Sequence, residues 1–302
     1  MEIFLNGHEI SREIDVQEAS TTDNSGGKAD ICEITLPDAE RISHWEIEEG
    51  MSLEIGENGY STGEMWIDEV EKNPEGTFTI RARSLPLRAK EKKWGCFENV
   101  ALHDLLMIGA NEFGLDFALY GVNEKVVLRR VVQRNQSWPE FLAQVFKSEG
   151  AALKFDGRKI LAIGYDWAFS QKPVRVLFDA GKGRLIKTPK LRTLHVRSGE
   201  IAASATDESA VGNMSLTLHY QQVYDLPQAI RSARGQLLGN NVDCETYVLQ
   251  MGEMDTEIAA MSRIDLFGST ATVGNWFASS VKHDFIKKRS TLTLKRCITT
   301  IK

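Results

Sequence analysis

The sequence predicts an α+β fold that is mainly β: two strand-rich parts that echo each other, with a small α/β module inserted between them. Three observations predict it. Apolar and polar residues alternate with period two through the first eighty or so residues, the period turns helical around "ENVALHDLLMIGANEFGL" and "SWPEFLAQVFKSEG", and it returns to two from about Lys172 onward.

The first part supplies strands in "MEIFLNG", "ADICEITLP", "GMSLEIG", "GEMWIDEVE" and "TFTIRARS". Gly, Asn and Pro signals separate them, with "SGGKAD" and "KNPEG" (Lys72 to Gly76) as hairpin connections, so a small antiparallel barrel or sandwich is expected. A charged junction, "RARSLPLRAKEKKW" (Arg81 to Trp94), follows. In the first helical pattern Val100, Leu105, Leu106 and Ile108 share one face and Gly114 is the stop signal.

The second helix is better specified. Ser137 is a good N-cap, Pro139 falls in the first turn where its missing N–H costs nothing, and Glu140 completes a capping box. Phe141, Leu142, Val145 and Phe146 form its apolar stripe, Gly150 ends it, and Asp156-Gly157 in "AALKFDGRKILAIG" predicts a type I′ hairpin. Strands then return in "VRVLFD", "TLHVRSG", "SLTLHYQQ", "ETYVLQ", "SRIDLFG", "NWFASSVKHDF" and "STLTLKRC". One helix interrupts them, capped by Asp225, with Pro227 near its start and Gly239 at its end.

Met51–Ser84 and Ser262–Cys297 share one plan: strand, Gly, turn, Gly, Trp-containing strand, polar hairpin, strand. Leu53 and Ile55 match Ile264 and Leu266, Gly56 matches Gly268, Gly63 matches Gly274, and Trp66 matches Trp276 or Phe277. A duplicated unit is therefore expected. Three copies of such a chain would make a ring of six similar units.

Composition excludes the extremes. With 302 residues, 42% hydrophobic and 26% charged, the chain is an ordinary folded protein of about two domains. No basic and apolar leader opens it and no window is long and apolar enough for a membrane span, so a cytoplasm-like compartment is expected. Charge is unevenly spread: residues 1–80 hold 20 acidic and 4 basic residues, and the other 222 hold 22 and 32. The two parts carry opposite fields.

The chemistry of catalysis is missing. There is no GxSxG, no GxxxxGK[ST] and no GxGxxG after a strand, and "DAGKGRL" (Asp179 to Leu185) reads as a turn. Cys32, Cys96, Cys244 and Cys297 are far apart and read as reduced, mostly buried thiols; His8, His44, His103, His195, His219 and His283 show no ligand or dyad spacing. Glu46, Glu48 and Glu49 in "HWEIEEG" are the nearest thing to paired acids, in a stretch where acids must cluster by composition. No catalytic residue, cofactor site or metal site is assigned.

Taken together, "NQSWPEFLAQVFKSEGAALKFDGRKILAIG", the preceding "FENVALHDLLMIGANEFGL" and the closing "GNWFASSVKHDFIKKRSTLTLKRC" resemble a known family. It is the baseplate hub proteins of contractile phage tails and related injection machines, including the late control protein D-like group and the hub part of type VI secretion spikes. The order of elements matches over essentially the whole chain. The sequence departs from the family at "MGEMDTEIAAMSRIDLFG", and a lysozyme-like or spike extension is not expected of this chain.

The resemblance implies two antiparallel, tube-type β-barrel domains at 1–90 and 171–302, the second with a helix at about 225–239, and an α/β insert module at 91–170. It implies a homotrimeric, pseudo-hexameric ring joining a hexameric tail tube to a trimeric central spike in the baseplate of a virion or tailocin, assembled in the bacterial cytoplasm. Other baseplate or tape-measure proteins are further expected partners. DNA is expected to pass through without specific binding, and this chain is expected not to enter a membrane. An acidic lumen would keep phosphates from sticking, and Glu54, Glu64 and Asp68 are the candidate lumen-facing acids. The alternative is a tail-associated carbohydrate- or peptidoglycan-binding or hydrolytic β-rich protein, with Trp45, Trp94 and Trp167 as sugar platforms and Trp66, Trp138 and Trp276 in cores. A nucleic-acid reader would need the basic junction exposed.

Overall fold

The computed structural model describes residues 1–37, 46–74, 76–219 and 222–302. The first strands are β1 (Glu2–Leu5), β2 (His8–Glu9), β3 (Glu18–Asn24), β4 (Ile31–Leu36), β5 (Ser52–Glu57), β6 (Tyr60–Ser61), β7 (Met65–Lys72) and β8 (Phe78–Arg83). Next come β9 (Lys93–Ala101), α1 (Leu102–Phe113), β10 (Asp116–Tyr120), β11 (Val127–Gln136), α2 (Trp138–Ser148), β12 (Ala151–Asp156), β13 (Lys159–Gly164) and the short α3 (Tyr165–Ser170). The rest comprises β14 (Arg175–Asp179), β15 (Arg184–Lys187), β16 (Thr193–Ser198), β17 (Ile201–Thr206), β18 (Ser215–His219), α4 (Leu226–Asn241), β19 (Glu245–Gln250), β20 (Arg263–Gly268), β21 (Gly274–Asp284) and β22 (Arg289–Arg296). The fold is mainly β, as the alternation predicts.

Two strand sets have the same internal order. The first runs β1-β5-β7-β8-β4-β3 and the second β14-β20-β21-β22-β19-β15. Numbered by position within each set, both read 1-4-5-6-3-2. They differ in one orientation: β1 lies antiparallel to β5, whereas β14 lies parallel to β20. Register fixes the echo residue by residue, because Leu53 faces Met65 as Ile264 faces Trp276. Trp66 therefore corresponds to Phe277, and the buried Trp276 to Met65.

The end strands of each set are the first two of that set in chain order, yet among the described residues no ladder closes either set: β1 does not pair with β3, nor β14 with β15. In the second set Asp179 holds the short link. It accepts from Tyr247 Oη at 2.7 Å and Gly181 N at 2.8 Å, and from the Thr272 hydroxyl. These bonds keep its carboxyl below the usual range although burial opposes them. The stretch "DAGKGRL" is thus a built turn. The two sets are joined directly, since β3 pairs antiparallel with β21 from Asn24↔Ser280 to Ser20↔Asp284. One 14-stranded sheet results.

Several local expectations shift. The helix expected from Glu98 begins only at Leu102; Val100 belongs to β9 and faces Leu128. The buried face of α1 is Leu102, Leu105, Leu106, Gly109 and Phe113, a helical period, while Ile108 is exposed. Gly114 does end it in a left-handed conformation, φ 69°. Asp156 faces Lys159, so the hairpin loop is Gly157-Arg158, and only Gly157 has positive φ. That is the II′ pattern, not the I′ expected from the Asp-Gly pair. Helix α4 runs past Gly239 to Asn241. "TLHVRSG" and Ser215–His219 of "SLTLHYQQ" form a separate sheet, β17-β16-β18, which α4 covers; Tyr220 and Gln221 lie outside the described residues. Cys96 is exposed, Cys32 is buried, and Cys244 and Cys297 are half-buried.

Candidate functional site

The segment Gln136–Ile160 is the point where the parts of the chain meet. Its helix starts as its sequence dictates: Ser137 Oγ accepts from Glu140 N at 3.4 Å, and Glu140 Oε2 accepts from Ser137 N at 2.9 Å. Those bonds hold the Glu140 carboxyl below its usual range. Trp138, Phe141, Leu142 and Phe146 are buried against α1 and β9, with Phe97 and Phe141 stacked at 5.8 Å between ring centroids.

The C-terminal turn of α2 docks on α4 through glycine. A Cβ at Gly235 would stand 2.5 Å from both Ser148 O and Gly150 N, and one at Gly239 2.7 Å from the Lys147 side chain. The two residues lie one helical turn apart and leave a flat face. Around that contact Arg231 Nε reaches Glu149 Oε2 at 2.7 Å and Gln236 Nε2 donates to Ser148 Oγ at 2.9 Å. Burial raises the Glu149 carboxyl, with Arg231 opposing.

The hairpin docks on the first strand set. Gly27 N donates to Leu153 O, Ser84 Oγ donates to Phe155 O at 3.1 Å, and Ala29 bridges Phe155. At the centre is Lys154, 4% exposed, whose ammonium donates to Asp23 and lies 3.7 Å from Asp30. Burial pushes the Asp30 carboxyl well up, against the pull of Lys154. For Lys154 burial acts downward, but the charges of Asp23 and Asp30 outweigh it and its pKa is raised. Asp23 also accepts from Ala260 N at 2.7 Å, so one charge cluster ties the first set, the hairpin and the turn before β20 together. The sequence carries one sign of it: a single Lys in the otherwise apolar "AALKF".

The opposite charges of the two parts meet in part within the chain. Arg81 pairs with Glu33 and Glu69, Lys288 with Glu57, and Arg158 Nη2 lies 2.6 Å from Glu64 Oε2. Exposed Glu9, Glu13, Asp15 and Glu18 form no ion pair with a described residue. The basic junction is neutralised in part: Arg83 and Lys90 both face Asp68 and Lys93 faces Glu112, while exposed Arg88 and Lys92 form no ion pair with a described residue.

Of the three candidate lumen acids, Glu54 accepts from Ser61 Oγ at 2.5 Å near the surface and Glu64 is paired with Arg158. The Asp68 side chain is 3% exposed beneath Arg83 and Lys90. Glu54 on β5 and Glu64 just before β7 are both half-buried, next to the buried Leu53 and Met65 that face each other. His44 and Trp45 lie outside the described residues. Trp94 is 74% exposed, Trp167 stacks on Tyr120 at 5.3 Å, and Trp138 and Trp276 are buried. Glu46, Glu48 and Glu49 are exposed on a loop. Among the described residues no three His, Cys, Asp or Glu converge at metal-ligand distance, and no helix is long and apolar enough to cross a membrane.

No protein-family model matches the chain, and no curated protein does. Solved structures do. A 43 kDa tail protein of prophage MuSo2 from Shewanella oneidensis superimposes with a TM-score of 0.75 at 13% identity, over 98% of each chain. A tail protein from Neisseria meningitidis gives 0.75 at 12% identity, over 98% of this chain and 96% of that one. An Escherichia coli type VI secretion component, described as structurally similar to bacteriophage T4 tail proteins gp27 and gp5, gives 0.62 at 10% identity, over 99% and 77%. The chain thus has, along its whole described length, the fold of phage tail proteins and of a type VI secretion component.

Proposed function

We propose that this chain is a structural baseplate hub protein of a contractile phage tail or tailocin, without a catalytic role. Three copies form a pseudo-hexameric ring that joins a hexameric tail tube to a trimeric central spike. One observation carries the reading: two strand sets of identical order, with their register aligned residue by residue, lie in one chain. A threefold ring of such chains presents six similar units to one partner and three to the other. The likeness to tail proteins of Shewanella and Neisseria prophage or bacterial origin supports it.

On this reading residues 1–90 and 171–302 are the two tube-type domains and 91–170 the insert that braces them. Glu54 and Glu64 carry the acidic lumen; Asp68, buried under two cations, serves structure instead. Mixing the chain with the tube and spike proteins of its own particle tests the assignment. Co-sedimentation with both is expected. Association with neither would refute it.

Glycan binding is the second reading, favoured by the exposed Trp94. Retention on peptidoglycan that disappears in Trp94→Ala would support it over the hub.

A further inference from the structure

We propose that the cleft between β11, α2 and the start of α4 binds an extended acidic stretch of another protein of the same particle, added as a third strand along the free edge of β11. That the donor belongs to the particle rests on the hub reading; the strand addition itself does not.

The ribbon β9-β11 is a two-stranded sheet, so among the described residues β11 has one paired edge and one edge without a strand partner. Its register against β9 is regular from Arg130↔Glu98 to Arg134↔Trp94. Within that run the Val132 N–H turns away from β9 and donates to the Gln222 side-chain oxygen at 3.2 Å. Alternation along a strand places the N–H groups of Arg130 and Arg134 on the same open edge. Neither donates to a described residue in the loop and side-chain contacts of the chain. An edge of this kind is a template for another strand, and main-chain bonds would supply the affinity. The Gln222 amide already stands where a partner carbonyl would be.

The open edge lines a cleft of about 520 Å³ whose floor is Val131, Phe141, Val145 and Val223. Its rim is basic. Arg130 and Arg134 line it; Arg134 has no ion pair among the described residues, and Arg130, half of its side chain exposed, comes no nearer than 3.8 Å to Glu98. The one carboxylate of the cleft, Glu149, is buried and held by Arg231. A strand alternating acidic and apolar side chains satisfies both surfaces: carboxylates toward Arg130 and Arg134, apolar groups toward Phe141 and Val145. Five residues of strand, about 16 Å at ~3.3 Å each, span Arg130 to Arg134.

Nucleic acid is the competing occupant of a basic cleft, but it has no use for a row of strand N–H groups. The test is fluorescence anisotropy on the full chain with three probes: a labelled peptide of alternating Glu and Val, its Lys-Val counterpart, and oligo-dT. Saturable binding of the acidic peptide is expected, weakened about tenfold or more in Arg134→Glu and by added salt. Slower amide exchange at Arg130 and Arg134 is expected with the peptide bound, and this readout separates strand addition from loose charge attraction. No saturation by about 1 mM peptide, equal binding of the Lys-Val peptide, unchanged exchange, or tighter binding of oligo-dT than of peptide would each overturn the proposal. The mass of the same samples in solution reports separately on the ring: peptide binding by a chain that never trimerises would sink the hub reading and leave the cleft standing.

Discussion

Asp68 on β7 and Ser279 on β21 occupy the same place in the two strand sets: each is the extra residue of a β-bulge. Against β8 the register skips between Ile67 and Glu69, and against β22 it skips between Ala278 and Ser280. Counting from the matched pairs Leu53↔Met65 and Ile264↔Trp276, the skipped residues fall at one position. Strands of similar topology arise readily, but a bulge at the same step of the same strand is a specific feature kept by both copies. Their chemistry has diverged, since Asp68 faces Arg83 and Lys90 while Ser279 Oγ donates to Thr293 O at 2.9 Å.

Phe141 and Phe146 carry the packing of α2, both almost fully buried. Replacing either with Ala is expected to cost about 3–5 kcal/mol, read as a lower denaturant midpoint. Assembly should fall with stability.

Lys154 faces two carboxylates, the buried Asp30 and the half-buried Asp23. Lys154→Met removes the lysine charge and leaves Asp23 and Asp30 together without it, so a loss of about 3–5 kcal/mol is expected in urea unfolding at neutral pH. Because protonated Asp30 would relieve the repulsion, the deficit should shrink as pH is lowered toward the carboxylate range. A deficit independent of pH would show that packing, not charge, is what Lys154 supplies.

Gly235 has no room for a methyl group against the backbone of Ser148 and Gly150. Gly235→Ala should destabilise by about 1–3 kcal/mol or more, and it should loosen the contact between α2 and α4, seen as faster amide exchange at the end of α2. Gly252, with nothing within 4 Å of its added Cβ, is the control. Gly252→Ala should be nearly neutral.

Acid should weaken the fold in two stages. His283 is buried against Ser290 Oγ at 2.9 Å, and burial holds its pKa below the ordinary 6.5. The unfolded chain therefore binds a proton that the folded chain refuses as pH falls below 6.5, and stability drops there. Asp207, held low by Thr300, Ser209 and Asn241 against burial, adds stability that is present above its unfolded pKa and lost as pH falls through its folded one. Melting temperature against pH should show both losses, and His283→Gln should remove the first.

What the sequence discloses follows the range of the interactions. The capping box of Ser137 and Glu140 spans three residues and stands as read. Strands with clean alternation, such as 52–57 and 78–83, also stand where the period places them. The hairpin at Gly157 slips by one residue because the pairing of Asp156 with Lys159, not the Asp-Gly dipeptide, sets the loop. Val100 reads as helical since apolar spacing alone does not tell the end of a strand from the first turn of the helix it feeds. Asp68 reads as an exposed acid because cover from Arg83 and Lys90 is tertiary. The pairing of Lys154 with Asp23 crosses 131 residues, and the β3–β21 ladder crosses still more, so neither leaves a local pattern.

The duplication bears most directly on assembly, and particle mass combined with negative-stain imaging tests it. Light scattering of the chain should give a particle of three 33.8 kDa chains, and with its tube and spike proteins present a heavier one that contains three copies of it. Class averages should show six similar lobes around a central hole. A chain that stays monomeric with both partners present, or a ring whose copy number is not a multiple of three, would contradict the hub.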